Sequence, residues 1–451
     1  MKNKEIDFTK GPLVGPLIKF AVPVLLALLL QSLYGAVDLL VVGKFATSAD
    51  VSAVATGSQL MMTLTFTVGS LAMGLTILLG QMIGAGDKKN AGSAVGTGIV
   101  FFALLGIVLS LVLPFVGGTL AGVLQAPEEA YELTSDYISI CGGGMIVIIL
   151  YNLIGCVFRG IGDSTTPLIT VAIATVVNII GDLALCAGFG LGTRGAAMAT
   201  VFAQLVSVVL SVLMIRKKQL PFDFSRRSIR LDKALLRKLL KLGIPLSAND
   251  MLVSVSFLII LGIVNSLGLD VSAGVGVAEK VCAFIMLVPS AFAAAVAASA
   301  SQNIGAGNFN RARKSLRYAV LISTGMGVLM FFINFFFGNY LAQIFTDDLA
   351  IAALAHSYLK AYAIDCLFTC FLFSMMGYFE GLGMTAFSMA QGVIGALCVR
   401  VPVSFAMSKV LPVSLFRIGL ATPCATILQI CMCVGGLIYA SKKFKKSSKE
   451  L

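Results

Sequence analysis

Apolar residues run along this chain in long unbroken stretches. "SAVGTGIVFFALLGIVLSLVLPFVGG" from Ser93 and "GMGVLMFFINFFFGNYLAQIF" from Gly325 contain no charged residue. Each exceeds the roughly 20 residues a helix needs to cross the hydrocarbon core of a bilayer. Strands of a membrane barrel would alternate apolar and polar positions, whereas these stretches are apolar all round, so helices are expected. The pattern predicts spans near 15–43, 53–83, 93–120, 132–158, 165–188 and 195–215. A second set follows near 243–266, 275–303, 314–341, 354–378, 386–408 and 417–440. The expected fold is an all-α polytopic membrane protein with twelve transmembrane helices, six on each side of a basic stretch.

Composition agrees: 58% of the 451 residues are hydrophobic, 12% are charged, and the mean hydropathy is +0.97. A soluble core cannot absorb that much apolar surface. The net charge of +12 lies between the apolar stretches and near the ends. Lys2, Lys4, Lys10 and Lys19, the central "RKKQLPFDFSRRSIRLDKALLRKLLK" and the final "SKKFKKSSKE" all follow the positive-inside pattern. An even number of spans then places both termini in the cytoplasm, in a plasma (inner) membrane. By the same count the outward loops carry Glu128, Glu129, Glu132 and Asp136, and Asp347 with Asp348. The lipid bilayer is therefore the expected partner and nucleic acid is not. The first apolar stretch, 13–42, lacks a small-residue cleavage site and is expected to remain as the first span.

The ten cysteines are scattered through apolar segments. Cys366 with Cys370, and Cys431 with Cys433, lack other ligands at a metal-site spacing, so packing is their expected role.

The chain repeats itself. "GQMIGAGDKKNAG" from Gly80 returns as "SQNIGAGNFNRAR" from Ser301, "FRGIGD" from Phe158 as "FEGLGM" from Phe379, and Tyr137 as Tyr358, all 221 positions apart. Pro23 and Pro245 follow one residue out of phase. A constant offset means a duplicated six-helix unit. The expected organisation is an N-terminal lobe (1–215), a basic cytoplasmic linker (216–242), a C-terminal lobe (243–441) and a basic tail (442–451). Two bundles with an even number of spans enter the membrane in the same sense and are pseudo-symmetric about an axis along the membrane normal. The glycine turns suit positive-φ backbone between helices; they lack the Gly-Lys-Ser/Thr ending of a phosphate loop.

Twelve helices in two homologous halves, with "GQMIGAGD", "RGIGDSTTP" and the Asp of "YGAVDLLVVGKF", resemble the multidrug and toxic compound extrusion (MATE) transporters over essentially the whole chain. The resemblance implies an antiporter that expels organic, often cationic, compounds in exchange for H+ or Na+ by alternating access, with no cofactor. Within the family the chain resembles the DNA-damage-inducible branch, whose Asp of the first helix, Asn and Asp of the fifth and Thr of the sixth fall on Asp38, Asn178, Asp182 and Thr200. The other main branch has carboxylates in the seventh and tenth helices, and here Asp250 and Asp365 lie only near those places.

Residue positions lead to the same four side chains. Asp38, Asp182 and Thr200 each stand six residues from the outer end of their helix, at roughly 9 Å depth. Asn178 and Asp182 share a helix face, while Tyr34 and Gln204 extend the polar lining by a turn. Isolated carboxylates satisfied by backbone or water are the alternative reading. A carboxylate in lipid costs about 2.5–3.5 kcal/mol, which favours retention for function. Two carboxylates in a low-dielectric cavity cannot both ionise at low cost, so the pair is expected to share a proton. Alternatively, the oxygens of Asp38, Asn178, Asp182 and Thr200 form a Na+ site. Either ion would compete with a cationic organic molecule for the same charge.

Pro23 is the candidate hinge of the first helix. In the C-terminal lobe Glu279, Asp365, Met286 and Arg400 are cavity-lining candidates. Asp365 and Arg400 could instead pair across helices ten and eleven, and His356 reads as a surface residue. A path within one chain needs no partner subunit, so a monomer is expected. The alternative function is a lipid-linked oligosaccharide flippase, though such a protein should line its cavity with Arg and Lys. No intramembrane nucleophile with a base supports an enzyme.

Overall fold

A computed structural model describes residues 5–447, with side chains to Lys442. Lys2, Lys4 and the last four positions of the basic tail, 448–451, lie outside the described residues. Among the described residues every regular element is helical. The helices are α1 (Val14–Phe45), α2 (Ser48–Gly84), α3 (Lys88–Val123), α4 (Tyr131–Gly143), α5 (Met145–Gly160), α6 (Thr165–Asp182) and α7 (Gly192–Lys217). After them come α8 (Lys233–Asn265), α9 (Leu269–Ile285), α10 (Leu287–Gly305), α11 (Phe309–Gln343), α12 (Leu349–Gly381), α13 (Thr385–Val393), α14 (Val401–Ser408), α15 (Leu415–Gly419) and α16 (Ala421–Ser447). Eleven helical segments among the described residues are long and apolar enough to cross a membrane. The pair α4 and α5, bent by 53° where they meet, makes twelve if counted as one span. The fold is that of a polytopic membrane protein.

Two compact units divide the chain. The first comprises residues 5–7 with Val22–Ser247, the second Phe8–Ala21 with residues 248–447. Thus α1 and α8 each change unit along their length, beside Pro23 and Pro245. α8 begins at Lys233 rather than near 243, because its amphipathic first turns bury Leu235 and Leu239 in the first unit. The rest of the basic stretch also packs there: Asp223 N–H donates to Lys88 O at 3.2 Å and Thr97 Oγ1 donates to Arg230 O at 3.2 Å.

In the first unit the core gathers Val42, Val54, Leu75, Phe102, Ile149 and Leu153. Its helices approach closely at small residues, as expected where lipid gives no hydrophobic drive for association. A Cβ on Gly243 of α8 would stand 2.3 Å from Leu71 O of α2. The bend between α4 and α5 falls at Gly144, where a Cβ would meet Val201 at 2.5 Å. The second unit packs Ile260, Val264, Val275, Tyr358, Leu359 and Tyr362 together, and a Cβ on Gly377 would lie 2.2 Å from Ala293 O.

The repeated glycine turns adopt one geometry. Gly86 and Gly307 both have φ +72°, and Gly162 and Gly383 have φ +84° and +77°. Only glycine takes that region without strain.

Candidate functional site

Within the first unit α1, α6 and α7 bring Asp38, Asn178, Asp182 and Thr200 together. Asp38 is 3% exposed, while Asn178 and Asp182 are fully buried. Thr200 Oγ1 donates to Asp38 Oδ2 at 3.3 Å, and Tyr34 OH donates to the Thr200 carbonyl at 3.2 Å. The carboxyl of Asp182 and the amide of Asn178 lie against the carboxyl of Asp38. Asp38 Oδ1, both Asp182 oxygens and both polar atoms of the Asn178 amide have no well-formed hydrogen bond within the protein. Among the described residues no Lys, Arg or His forms an ion pair with either carboxylate.

Local sequence explains the placement. Asn178 and Asp182 are one turn apart on α6 and so share a face. Immediately after Asp182 the helix widens into a π turn, Leu183–Gly188, a feature that often marks functional sites in helices. At the start of α7, Thr193 N–H and Oγ1 donate to Asp50 Oδ1 at 2.9 and 2.7 Å, fixing α7 against α2. Beside it Arg194 and Asp136 form an ion pair at 2.7 Å.

Gln204 lies one turn beyond Thr200, with its Oε1 buried and unpaired. Pro23 sits inside α1, where it removes a backbone donor. The remaining candidates belong to the second unit. Asp365 is buried and accepts from Thr369 Oγ1 at 2.6 Å, with Oδ1 unpaired. Arg400 stacks its guanidinium 4.6 Å from the centre of the Phe257 ring, leaving Nε and Nη1 without hydrogen bonds. Of the two readings of Asp365 and Arg400, the ion pair is not formed: Asp365 turns to Thr369 on its own helix, and Arg400 to an aromatic face. Glu279 has a buried, unpaired Oε1, Met286 joins α9 to α10, and His356 Nε2 bonds Phe335 O at 3.0 Å.

Two polar clusters escaped the sequence reading. In "RGIGDSTTP", Asp163 caps α6: its Oδ1 accepts from the N–H groups of Thr165 and Thr166 at 3.0 Å, and Oδ2 accepts from Thr166 Oγ1 and pairs with Lys218. An Asp ahead of Thr-Thr-Pro carries that helix-start signal, but nothing in the sequence points to Lys218. Glu5 joins this cluster; burial pushes its carboxyl up, Lys218 opposes the shift and Asp163 adds to it. In the second unit Arg311 donates to the carbonyls of Phe8, Lys10 and Gly11 at 2.7–2.8 Å, and Asn303 Nδ2 to that of Phe8 at 3.1 Å.

A polytopic, internally duplicated helical fold with a buried polar cluster in its first unit points to a class, the membrane transporters. The MatE family model matches residues 23–183 and again 245–406, and the chain belongs to that family, whose members are transporters rather than enzymes. The chain is 28% identical over 436 residues to "Probable multidrug resistance protein YoeA" of Bacillus subtilis (strain 168), covering 94% of this chain and 93% of that one. It is 29% identical over 401 residues to "Probable multidrug resistance protein YpnP" of the same organism, covering 88% and 89%. Its fold matches a solved structure described as MATE in complex with MaL6, with a TM-score of 0.90 at 18% identity over 99% and 100% of the two chains.

Proposed function

We propose that this protein is a multidrug efflux transporter of the plasma membrane that exports organic cations in exchange for an inward-moving cation, by alternating access. The observation that carries the reading is the contact between Asp38 and Asp182, buried and without a cationic partner in the first unit. Such a pair demands one positive charge. A shared proton satisfies it, and a cationic substrate satisfies it by displacing that proton, which is the competition an exchanger requires. Na+ is the second reading, supported by the unpaired oxygens of Asp38, Asn178 and Asp182 around the Thr200 hydroxyl. The names of the bacterial relatives support drug export, and the carboxylate lining does not favour the flippase.

We further assign the chain to the DNA-damage-inducible branch of the family, acting as a monomer with cytoplasmic termini and bending α1 at Pro23. Purified protein in proteoliposomes, given a proton gradient or a sodium gradient in turn, tests the exchange. Export of an organic dye driven by one gradient identifies the ion, and export driven by neither contradicts the reading.

A further inference from the structure

The Asp38 cluster continues along the bundle instead of ending at Thr200. On α7, Thr200, Gln204, Ser207 and Ser211 stand on one face over about 16 Å. Ser207 is 0% and Ser211 4% exposed, whereas Val209 on the outer face is 49% exposed. On α6 a second line of buried polar residues runs from Asp182 and Asn178 through Thr175 and Thr170 to Ser164. On α1, Asp38 and Tyr34 are followed by Gln31, whose Nε2 donates to Tyr151 OH at 2.8 Å. Away from the Asp38 cluster, these faces and α5 line a cavity of about 50 Å³ that mixes apolar side chains with Gln31, Tyr151, Asn152, Arg159, Ser164 and Ser211. A buried water needs only ~10–15 Å³, so several fit.

The unpaired atoms fall along the same lines. Besides those of Asp38, Asn178 and Asp182, they include Gln204 Oε1, Ser207 Oγ and Ser164 Oγ. A helix bundle in lipid satisfies its buried polar groups internally unless they line water. Here they lie on converging faces with no protein partner, so their partner is a mobile one.

We propose that these faces of α1, α6 and α7 form a hydrated proton path inside the first unit, connecting the Asp38–Asp182 pair with the end that carries Lys218, the cytoplasmic end. It deepens the exporter reading and rests on it. Arg159 stands at the mouth of the path. Its Nη2 donates to Cys156 Sγ at 3.1 Å, and among the described residues it forms no ion pair. A positive charge at the mouth opposes cation entry, so Arg159 limits proton leak while Asp38 and Asp182 set the coupling.

Cysteine accessibility tests the path without reference to transport. In a cysteine-free chain that still exports dye, Ser207→Cys, Ser211→Cys and Val209→Cys are each treated from the cytoplasmic side with Ag+, a thiol reagent small enough for a path a few waters wide. Water contact ionises a thiol and lipid does not, so Ser207→Cys and Ser211→Cys are expected to react at least ~10-fold faster than Val209→Cys. In the same vesicles Arg159→Gln is expected to raise passive proton uptake several-fold. Ser207→Cys and Ser211→Cys as inert as Val209→Cys, in protein that still exports, would overturn the path. If Ser207→Cys does not fold, Ser211→Cys and the Arg159→Gln leak decide. Loss of gradient-driven export with labelling intact would contradict the exporter reading and leave the path standing.

Discussion

The Thr200 hydroxyl donates to Asp38 Oδ2 at 3.3 Å, tying α7 to a carboxylate 162 positions earlier in the chain. The bond is long, so its contribution belongs at the low end of the range for charged acceptors. Thr200→Val is expected to weaken the apparent affinity for the coupling ion about 10-fold, and Thr200→Ser to restore it. Titration of dye export against the driving ion checks both; an unchanged Thr200→Val removes Thr200 from the site.

Asp163 combines a helix cap with a partly buried ion pair to Lys218, whose side chain is 21% exposed. Asp163→Ala loses both and is expected to cost about 2–3 kcal/mol. Asp163→Asn keeps an oxygen for the N–H groups of Thr165 and Thr166 and should cost less. Thermal unfolding in detergent ranks the two variants, and equal midpoints would show that the cap on Thr165 and Thr166 contributes nothing beyond the ion pair that both variants lose.

Glu5 supplies a pH dependence. Its carboxyl is raised in the folded chain, chiefly by burial, so folding favours the acid form. The contribution is complete below the ordinary glutamate range and is lost as pH rises through the folded value. The neighbouring Ile6 N–H, which donates to Gly162 O at 3.2 Å, should lose protection over that rise. Hydrogen exchange corrected for intrinsic rates measures it, and Glu5→Gln should abolish the pH dependence.

Arg311 gathers three carbonyls of the chain's own N-terminal segment. Arg311→Ala is expected to speed exchange at the Phe8 amide, which donates to Gln302 Oε1 at 3.2 Å. Arg311→Lys should recover little, since an ammonium lacks the planar fork. Unchanged exchange at Phe8 would assign the anchoring to Gln302 and Asn303 alone.

Much of this protein was legible as sequence. Unbroken apolar runs gave the spans, because lipid requires helices with every backbone group satisfied. The 221-residue repeat located glycines that take matching positive φ at Gly86 and Gly307. Asp38, Asn178, Asp182 and Thr200 could be read as one cluster because a carboxylate in lipid is expensive and depth follows from counting residues. Features set by tertiary contact were not legible. Residues 8–21 pack in the second unit because Gln302, Asn303 and Arg311 receive them, and the first copy has Gln81, Met82 and Asn90 in those places. Spacing could not decide whether Arg400 would meet a carboxylate or the Phe257 ring. The span expected over 132–158 bends at Gly144, whose approach to Val201 no local pattern announces.

The most direct test of the buried pair is gradient-driven dye export by Asp38→Asn and Asp182→Asn in proteoliposomes, with folding checked by thermal unfolding. Charge shared between ion and substrate predicts that each variant unfolds near the parent temperature and that gradient-driven export falls to the level of empty vesicles. Export by Asp38→Asn at the parent rate would contradict it.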